Sequence, residues 1–328
     1  MGLGGINRAI TELEKAMKFI MAILATLAVV GCTHDVDMSS VSEESKKTVK
    51  RYDITQSLAA NTNVVVAGTQ SGAVLTSRDG GKTWLRQLLG QSSLIGLAVC
   101  PDGSFVGIDF NHKVWAGDAN GENWKSSVLD KPRIPLAVTC DTLGRWHVAG
   151  TGAKIARSED RGGNWQVTDL NEDAQITALQ MIDESRGIAL GEFGLVARTE
   201  DGGNSWKVGA RIPGEFYPYA VLFVNSKEGY ASGLAGAVLR TQDGGATWGK
   251  IDNDSRATLY RFFLHDGKPH GVGTGGAVVR LVGNSFRPVA YPDAAPVFLG
   301  AAASIPAQST IAIGGPGGLI RVIGTKVN

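Results

Sequence analysis

The sequence predicts an all-β chain, a seven-bladed β-propeller of four-stranded antiparallel blades whose ring is closed by an N-terminal strand. Three observations predict it. A short box recurs at an almost constant interval, the same order of strands and glycine turns precedes every box, and that order continues in weaker form to the end of the chain.

The boxes are Ser77/Asp79/Gly81/Thr83/Trp84, Ser158/Asp160/Gly162/Asn164/Trp165, Thr199/Asp201/Gly203/Ser205/Trp206 and Thr241/Asp243/Gly245/Thr247/Trp248, with a worn copy ending at Trp124. The tryptophans at 84, 124, 165, 206 and 248 stand 40, 41, 41 and 42 residues apart, a period of propeller blades or of helical arrays. Local chemistry decides for the first. A small hydroxyl and an Asp can bond nearby backbone amides, Gly supplies positive φ, and Trp opens the next strand, which together make a β-hairpin corner. A turn whose side chains bond themselves needs no ligand to explain it, so the boxes read as structural rather than catalytic.

Within each period, first strands are expected at Ile54–Ala60, Leu94–Cys100, Leu136–Cys140, Ile176–Ile182, Tyr219–Val224, Leu259–Leu264 and Val297–Ala303. The fifth unit shows the whole plan: Tyr219–Val224, Gly229–Ser232, a turn over 233–236, Ala237–Arg240, and Trp248–Ile251. Four short strands per period is the mark of a propeller blade. The seventh unit lacks a fourth strand of its own, because its Trp equivalent is Val327 and the chain given stops at Asn328. Residues Thr48–Tyr52 are expected to fill that place and so protect the edge strands.

Residues 1–32 read as a signal peptide, 33–47 as a polar tether and 48–328 as the propeller. The apolar run Phe19–Val30 follows Lys18 and is too short to span a bilayer but suits an export signal. Val29-Val30-Gly31-Cys32 resembles a bacterial lipobox, which makes Cys32 the expected lipidation site and the anchor to a membrane. A plain signal peptide cut nearby is the alternative, and Met17-Lys18 offers a second possible start. The tether, treated as coil, would span roughly 25 Å. Export would place the protein on the periplasmic side of a membrane, or in the thylakoid lumen of a photosynthetic host. It would also put Cys100 and Cys140 in an oxidising space. They fall at matching places in neighbouring repeats, but equivalent strands of adjacent blades looked too far apart for a bond, so two buried thiols are expected.

Without residues 1–32 the chain carries 29 cations and 29 anions, which excludes nucleic-acid binding through bulk charge. No metal or nucleophile constellation stands out: the five His are scattered and no Gly-x-Ser-x-Gly occurs. The sequence therefore implies no cofactor, no metal and no catalytic residue.

Val238–Trp248, with the glycine turn before it, resembles the repeat of the photosystem II stability and assembly factor family, and the resemblance covers about residues 50–328. It implies a seven-bladed propeller, monomeric and non-enzymatic, that binds subunits of a membrane protein complex. In a photosynthetic host these would be reaction-centre proteins of photosystem II. In a bacterium without photosynthesis the same body would suit a scaffold of a transporter complex. Sialidases also carry these boxes, so a sialidase-like glycoside hydrolase is the rival reading. Arg133-Ile134-Pro135 and Arg211-Ile212-Pro213 echo a sialidase signature, but both lie inside the repeat array, and seven blades depart from the sialidase six.

One position is not explained by turn geometry. At the matching place in the third strand, eight residues before the Trp in units one to five, stand Thr76, Ala116, Arg157, Arg198 and Arg240, and Arg280 and Arg321 follow the turns of units six and seven. Thr76 precedes a complete box, while Arg280 and Arg321 precede positions where the box is lost, so Arg and box do not come and go together. Equivalent positions of a propeller lie on one circle. The five arginines are read as a partner-binding arc suited to carboxylates or phosphates, with salt bridging between blades as the alternative. On the opposite face, the loop Gly214-Glu215-Phe216-Tyr217-Pro218 carries aromatics that either contact a partner or cover their own core.

Overall fold

The computed structural model describes residues 11–19 and 37–324. The chain divides into two units, residues 1–46 and 47–328. In the first, residues 11–19 and Ser39–Lys46 are helical. The second helix replaces the coil expected of the tether: the Asp37 carboxylate accepts from Ser39 N–H at 2.9 Å at its start, and none of its residues is buried. The apolar run beyond Phe19 and the lipobox Cys32 lie outside the described residues. No described helix is long and apolar enough to cross a membrane.

The second unit is built of seven blades, and their innermost strands are Thr55–Ala60, Leu94–Val99, Pro135–Cys140, Ile176–Met181, Pro218–Phe223, Leu259–His265 and Ala301–Ile305. Each lies within a residue or two of its expected place except the last, which starts four residues later than Val297. Blades 1 to 6 have four antiparallel strands. Their second strands, such as Val65–Thr69 and Phe105–Asp109, are buried apart from Lys268 at the start of that of blade 6, since a neighbouring blade covers each face. The fourth strands are mostly exposed. The core accordingly lies between blades. Leu58, Val65 and Leu75 of blade 1 pack on Ala301, Ile305 and Ala312 of blade 7, and a comparable cluster fills every other gap. Blade 6 has a tight turn at Gly283-Asn284 where a box would stand. Its outer strand, Ser285–Pro288, runs beside that of blade 5 with Asp252 opposite Ser285 and Asn253 opposite Phe286, in parallel.

Ring closure differs from the expectation. Thr48–Tyr52 form no strand, and blade 7 has three strands among the described residues. The ends meet through single bonds instead. Thr55 N–H donates to Gly315 O at 3.0 Å and Gly318 N–H donates to Asp53 O at 2.8 Å, while Val49 enters the core between blades 7 and 1. The Asp53 carboxylate, fully buried, takes two bonds from Arg86 of blade 1 at 2.7 and 3.0 Å and one from Lys50 N–H at 2.8 Å. A bent segment held by a bidentate ion pair thus stands where an added strand was expected. The innermost strands of blades 7 and 1 pack side by side as all other neighbours do.

Cys100 and Cys140 are joined in a disulfide with Cα atoms 5.1 Å apart, which corrects the expectation of free thiols. Cys140 ends one innermost strand and Cys100 directly follows the other, and these strands converge on the axis. The separation between adjacent blades is smallest there and falls within the bonding range.

Arg86→Ala leaves Asp53 buried without its cation, and is expected to cost about 3–5 kcal/mol. Ending the chain at Gly315 removes Gly318 and should abolish cooperative unfolding. Thermal and urea melts followed by circular dichroism check both.

Candidate partner-binding face and central channel

The boxes fold as the sequence predicts. In each, the leading hydroxyl accepts from the glycine four residues on: Gly81 N–H to Ser77 Oγ at 2.7 Å, Gly162 N–H to Ser158 Oγ at 2.8 Å, and Gly203 and Gly245 N–H to Thr199 and Thr241 Oγ1 at 2.9 Å. The Asp spans the turn. Asp243 accepts from Thr241 Oγ1 at 2.8 Å, Thr247 N–H at 2.9 Å and Thr247 Oγ1 at 2.5 Å. These donors stabilise the ionised carboxylate. The Thr247 and Ser205 hydroxyls hold Asp243 and Asp201 at about 2, the Asn164 amide holds Asp160 at about 2, and Thr83 lowers Asp79 further. Both oxygens of each box carboxylate accept within the turn, so the carboxylates serve structure.

The glycine has a second task. At φ +84° a side chain on Gly245 would be strained, and its Cβ would meet Ile188 Cδ1 of blade 4 at 2.5 Å. In blade 1 the Cβ of Gly81 would strike Val322 of blade 7 at 2.4 Å. Each box corner is pressed against the preceding blade.

The position eight before the Trp meets the following blade from the other side. Thr76 Oγ1 donates to Gly121 O of blade 2 at 3.0 Å, Arg157 Nη1 to Asn204 Oδ1 of blade 4 at 3.0 Å, and Arg240 Nη1 to Asn284 Oδ1 of blade 6 at 3.2 Å. Arg157, Arg198, Arg240 and Arg280 share one register of the third strands, opposite His147, Ile188, Tyr230 and His270. Arg321 pairs with Ile313 out of that register, and Val322 is the residue turned toward blade 1, so the expected arc of five is an arc of four. The surroundings of the five also differ. Arg157 is 7% exposed and bonds Gln166 and Glu159 as well, so its place is between blades rather than on the surface. Arg240 is paired with Glu228 at 2.6 Å, and Arg321 donates to the Asp293 carbonyl. Arg198 and Arg280 are half-buried and make no ion pair or side-chain hydrogen bond among the described residues. Arg198 lines a notch of about 360 Å³ with Asp201, Ser205 and Lys207, and Arg240 lines one of about 490 Å³ with Asp243 and Lys250.

The box face carries a second repeated device that the sequence reading missed. Asn or Asp opens the hairpin between first and second strands, as Asn61, Asp102, Asp141, Asp183 and Asn225, and accepts from backbone amides two to four residues on. The period was visible in the sequence, but no Trp marks it. Behind Asp141, His147 is wholly buried and bonded to it at 3.0 Å; burial pushes the imidazole pKa down, so it stays neutral.

On the opposite face the channel opens. The innermost strands of blades 1 to 6 each bulge at their second residue, Gln56, Ile95, Leu136, Thr177, Tyr219 and Tyr260. A bulge re-aims a side chain, and these residues ring the mouth. The aromatic loop is split between the two alternatives: Phe216 is buried in the core between blades 4 and 5, whereas Tyr217 stands at the mouth against Tyr219. Arg133 and Arg211 do not line the channel. Both are exposed, and Arg211 is paired with Glu172 at 2.6 Å. Among the described residues, no three His, Cys, Asp or Glu side chains gather closely enough to hold a metal.

Seven blades with hairpin corners of this kind define an Asp-box β-propeller. Residues 155–258 match the family described as photosynthesis system II assembly factor YCF48. A structure described as YCF48 bound to D1 peptide superposes with a TM-score of 0.68 at 13% identity, over 86% of this chain and 96% of the other. YCF48 from Cyanidioschyzon merolae superposes with 0.66 at 17% identity, over 85% and 98%. A structure of U3-55K gives 0.69 at 9%, over 85% and 98%, so the likeness of shape extends beyond one family. No curated protein matches the sequence. The protein is an Asp-box β-propeller, and its residues 155–258 are similar to the photosystem II assembly factor family.

Asp243→Asn should cost on the order of 1–2 kcal/mol at pH 6. Asp201 and Asp243 titrate at about 2 when folded against about 3.9 unfolded. Their folded pKa values are depressed, so their contribution is complete above pH about 5 and is lost as pH falls from about 4 to about 2. The Tm gap between wild type and Asp243→Asn should shrink over that range. Arg157→Ala should cost about 2–3 kcal/mol, and Arg198→Ala less than about 0.5, in urea melts.

Proposed function

We propose that the protein is a non-enzymatic scaffold that binds an extended, carboxylate-bearing segment of a membrane-complex subunit on its box face. In a photosynthetic host that subunit is a photosystem II reaction-centre protein. The observation that carries this reading is the run Arg198, Arg240 and Arg280 on blades 4, 5 and 6, in which the outer two guanidinium groups have no acceptor among the described residues. The family match supports it, since it spans blades 4 and 5 and the outer two strands of blade 3. So does the solved relative described as bound to a D1 peptide. Guanidinium groups suit this task because they keep their charge and bind carboxylates through two parallel bonds.

The protein works outside the cytoplasm in this reading, tethered through lipidated Cys32 and monomeric. The Cys100–Cys140 disulfide supports export, because such bonds persist in oxidising compartments. With Arg133 and Arg211 away from the channel, nothing gathers the arginines that a sialidase needs to hold its substrate's carboxylate.

Arg198→Glu with Arg280→Glu should weaken binding of a fluorescent peptide from the host's D1 protein at least tenfold, and Arg321→Glu less. Anisotropy titrations at two salt concentrations check it, and unchanged affinity in the double variant would dispose of the proposed face.

A further inference from the structure

The channel mouth holds one residue that the repeat does not explain. Past the bulge in blades 1 to 6, and without one in blade 7, the innermost strand places a residue opposite the next-to-last position of the second strand. Around the ring these are Ser57, Gly96, Ala137, Ala178, Ala220, Arg261 and Ala302. Six are small, as expected where seven strands crowd together on one axis. Blade 6 alone supplies a long cation.

Arg261 lines both a mouth cavity of about 440 Å³ and the lumen of about 340 Å³ below it. It reaches across the channel, where Nη2 donates to Ile95 O of blade 2 at 3.2 Å. No carboxylate is paired with it among the described residues, and burial lowers its pKa without any opposing charge. A guanidinium has five N–H donors and stays protonated in proteins. Arg261 is half-buried, and its one bond to a carbonyl leaves the other donors facing the lumen.

Beside it stands an aromatic wall. Tyr217, Tyr219, Tyr260 and Phe298 touch in series, with ring centroids 5.7, 5.2 and 6.5 Å apart. Phe298 is 43% exposed. Ile95 and Leu136 complete the lining opposite, and no acidic residue is among the lining groups. The volume lies in the range of small-ligand sites, which combine apolar walls with a few fixed polar groups.

We propose that this mouth binds an organic carboxylate carrying an apolar or aromatic body, with the carboxylate on Arg261 and the body against Tyr219, Tyr260 and Phe298. Such a group can belong to a small acid or to the end of a peptide chain. The site lies on the face opposite the arginine run and does not depend on the function proposed above.

Calorimetric titration of the full chain tests it with two acid and amide pairs: 3-phenylpropanoate against 3-phenylpropanamide, and the peptide Gly-Gly-Gly-Phe with a free against an amidated C-terminus. At least one acid should bind at least tenfold more tightly than its amide, and Arg261→Gln should erase that difference. Binding of 3-phenylpropanoate points to a small acid, and binding of the peptide alone to a chain terminus. Failure of both acids to bind, or equal binding of acid and amide in both pairs, overturns the proposal. The amide comparison is made on the unaltered protein, so it decides even if Arg261→Gln fails to fold.

Discussion

A closed ring of blades requires that every blade be held against its neighbours at a fixed angle, and here that constraint rests on the box corner. Its hydroxyl and carboxylate satisfy the turn from within, which lets the positive-φ glycine present bare backbone to the preceding blade. Gly81 meets Val322, Gly162 meets Ser127, Gly203 meets His147 and Gly245 meets Ile188, all closer than a Cβ would permit. The third-strand residue of that preceding blade then reaches forward, as Thr76, Arg157 and Arg240 do. Neighbours are clasped from both sides, and the core fills what lies between.

The two faces follow from this construction. The box face is repetitive, and its polar groups are mostly used up by turns and blade-to-blade bonds. Function there falls to the positions where the clasp has been relaxed. Arg198 and Arg280 are such positions, with no acceptor on the next blade among the described residues. The opposite face is uneven: blades 5 to 7 bring aromatic rings to the channel mouth, and blades 1 to 4 bring Gln56, Ile95, Leu136 and Thr177. A fold that repeats can vary single residues there at little structural cost, because the bulge points them away from the inter-blade core.

Local signals made most of the fold legible in the sequence. The boxes, the strand order and the blade count are short-range patterns, and a period of about 41 residues superposes them. Contacts between distant residues were not legible. Asp53 and Arg86 are 33 positions apart and belong to no repeat, so the closing segment looked like a missing strand. Cys100 and Cys140 could be placed only once the convergence of innermost strands was known. The arginine position was visible, but its division into engaged and free members depends on Asn204, Glu228 and Asn284 in space. Arg261 was hidden altogether, because a one-residue bulge shifts the register by which it can be compared with Ala220 or Ala178.

The central claim is that a partner segment docks on the box face of blades 4 to 6. Hydrogen–deuterium exchange of the full chain with and without a D1 peptide tests it most directly. The account predicts slowed exchange over residues 196–208, 238–251 and 278–288, with no change at the channel mouth over 94–97 and 259–262. Slowed exchange confined to the mouth, or to blades 1 and 2, would contradict it.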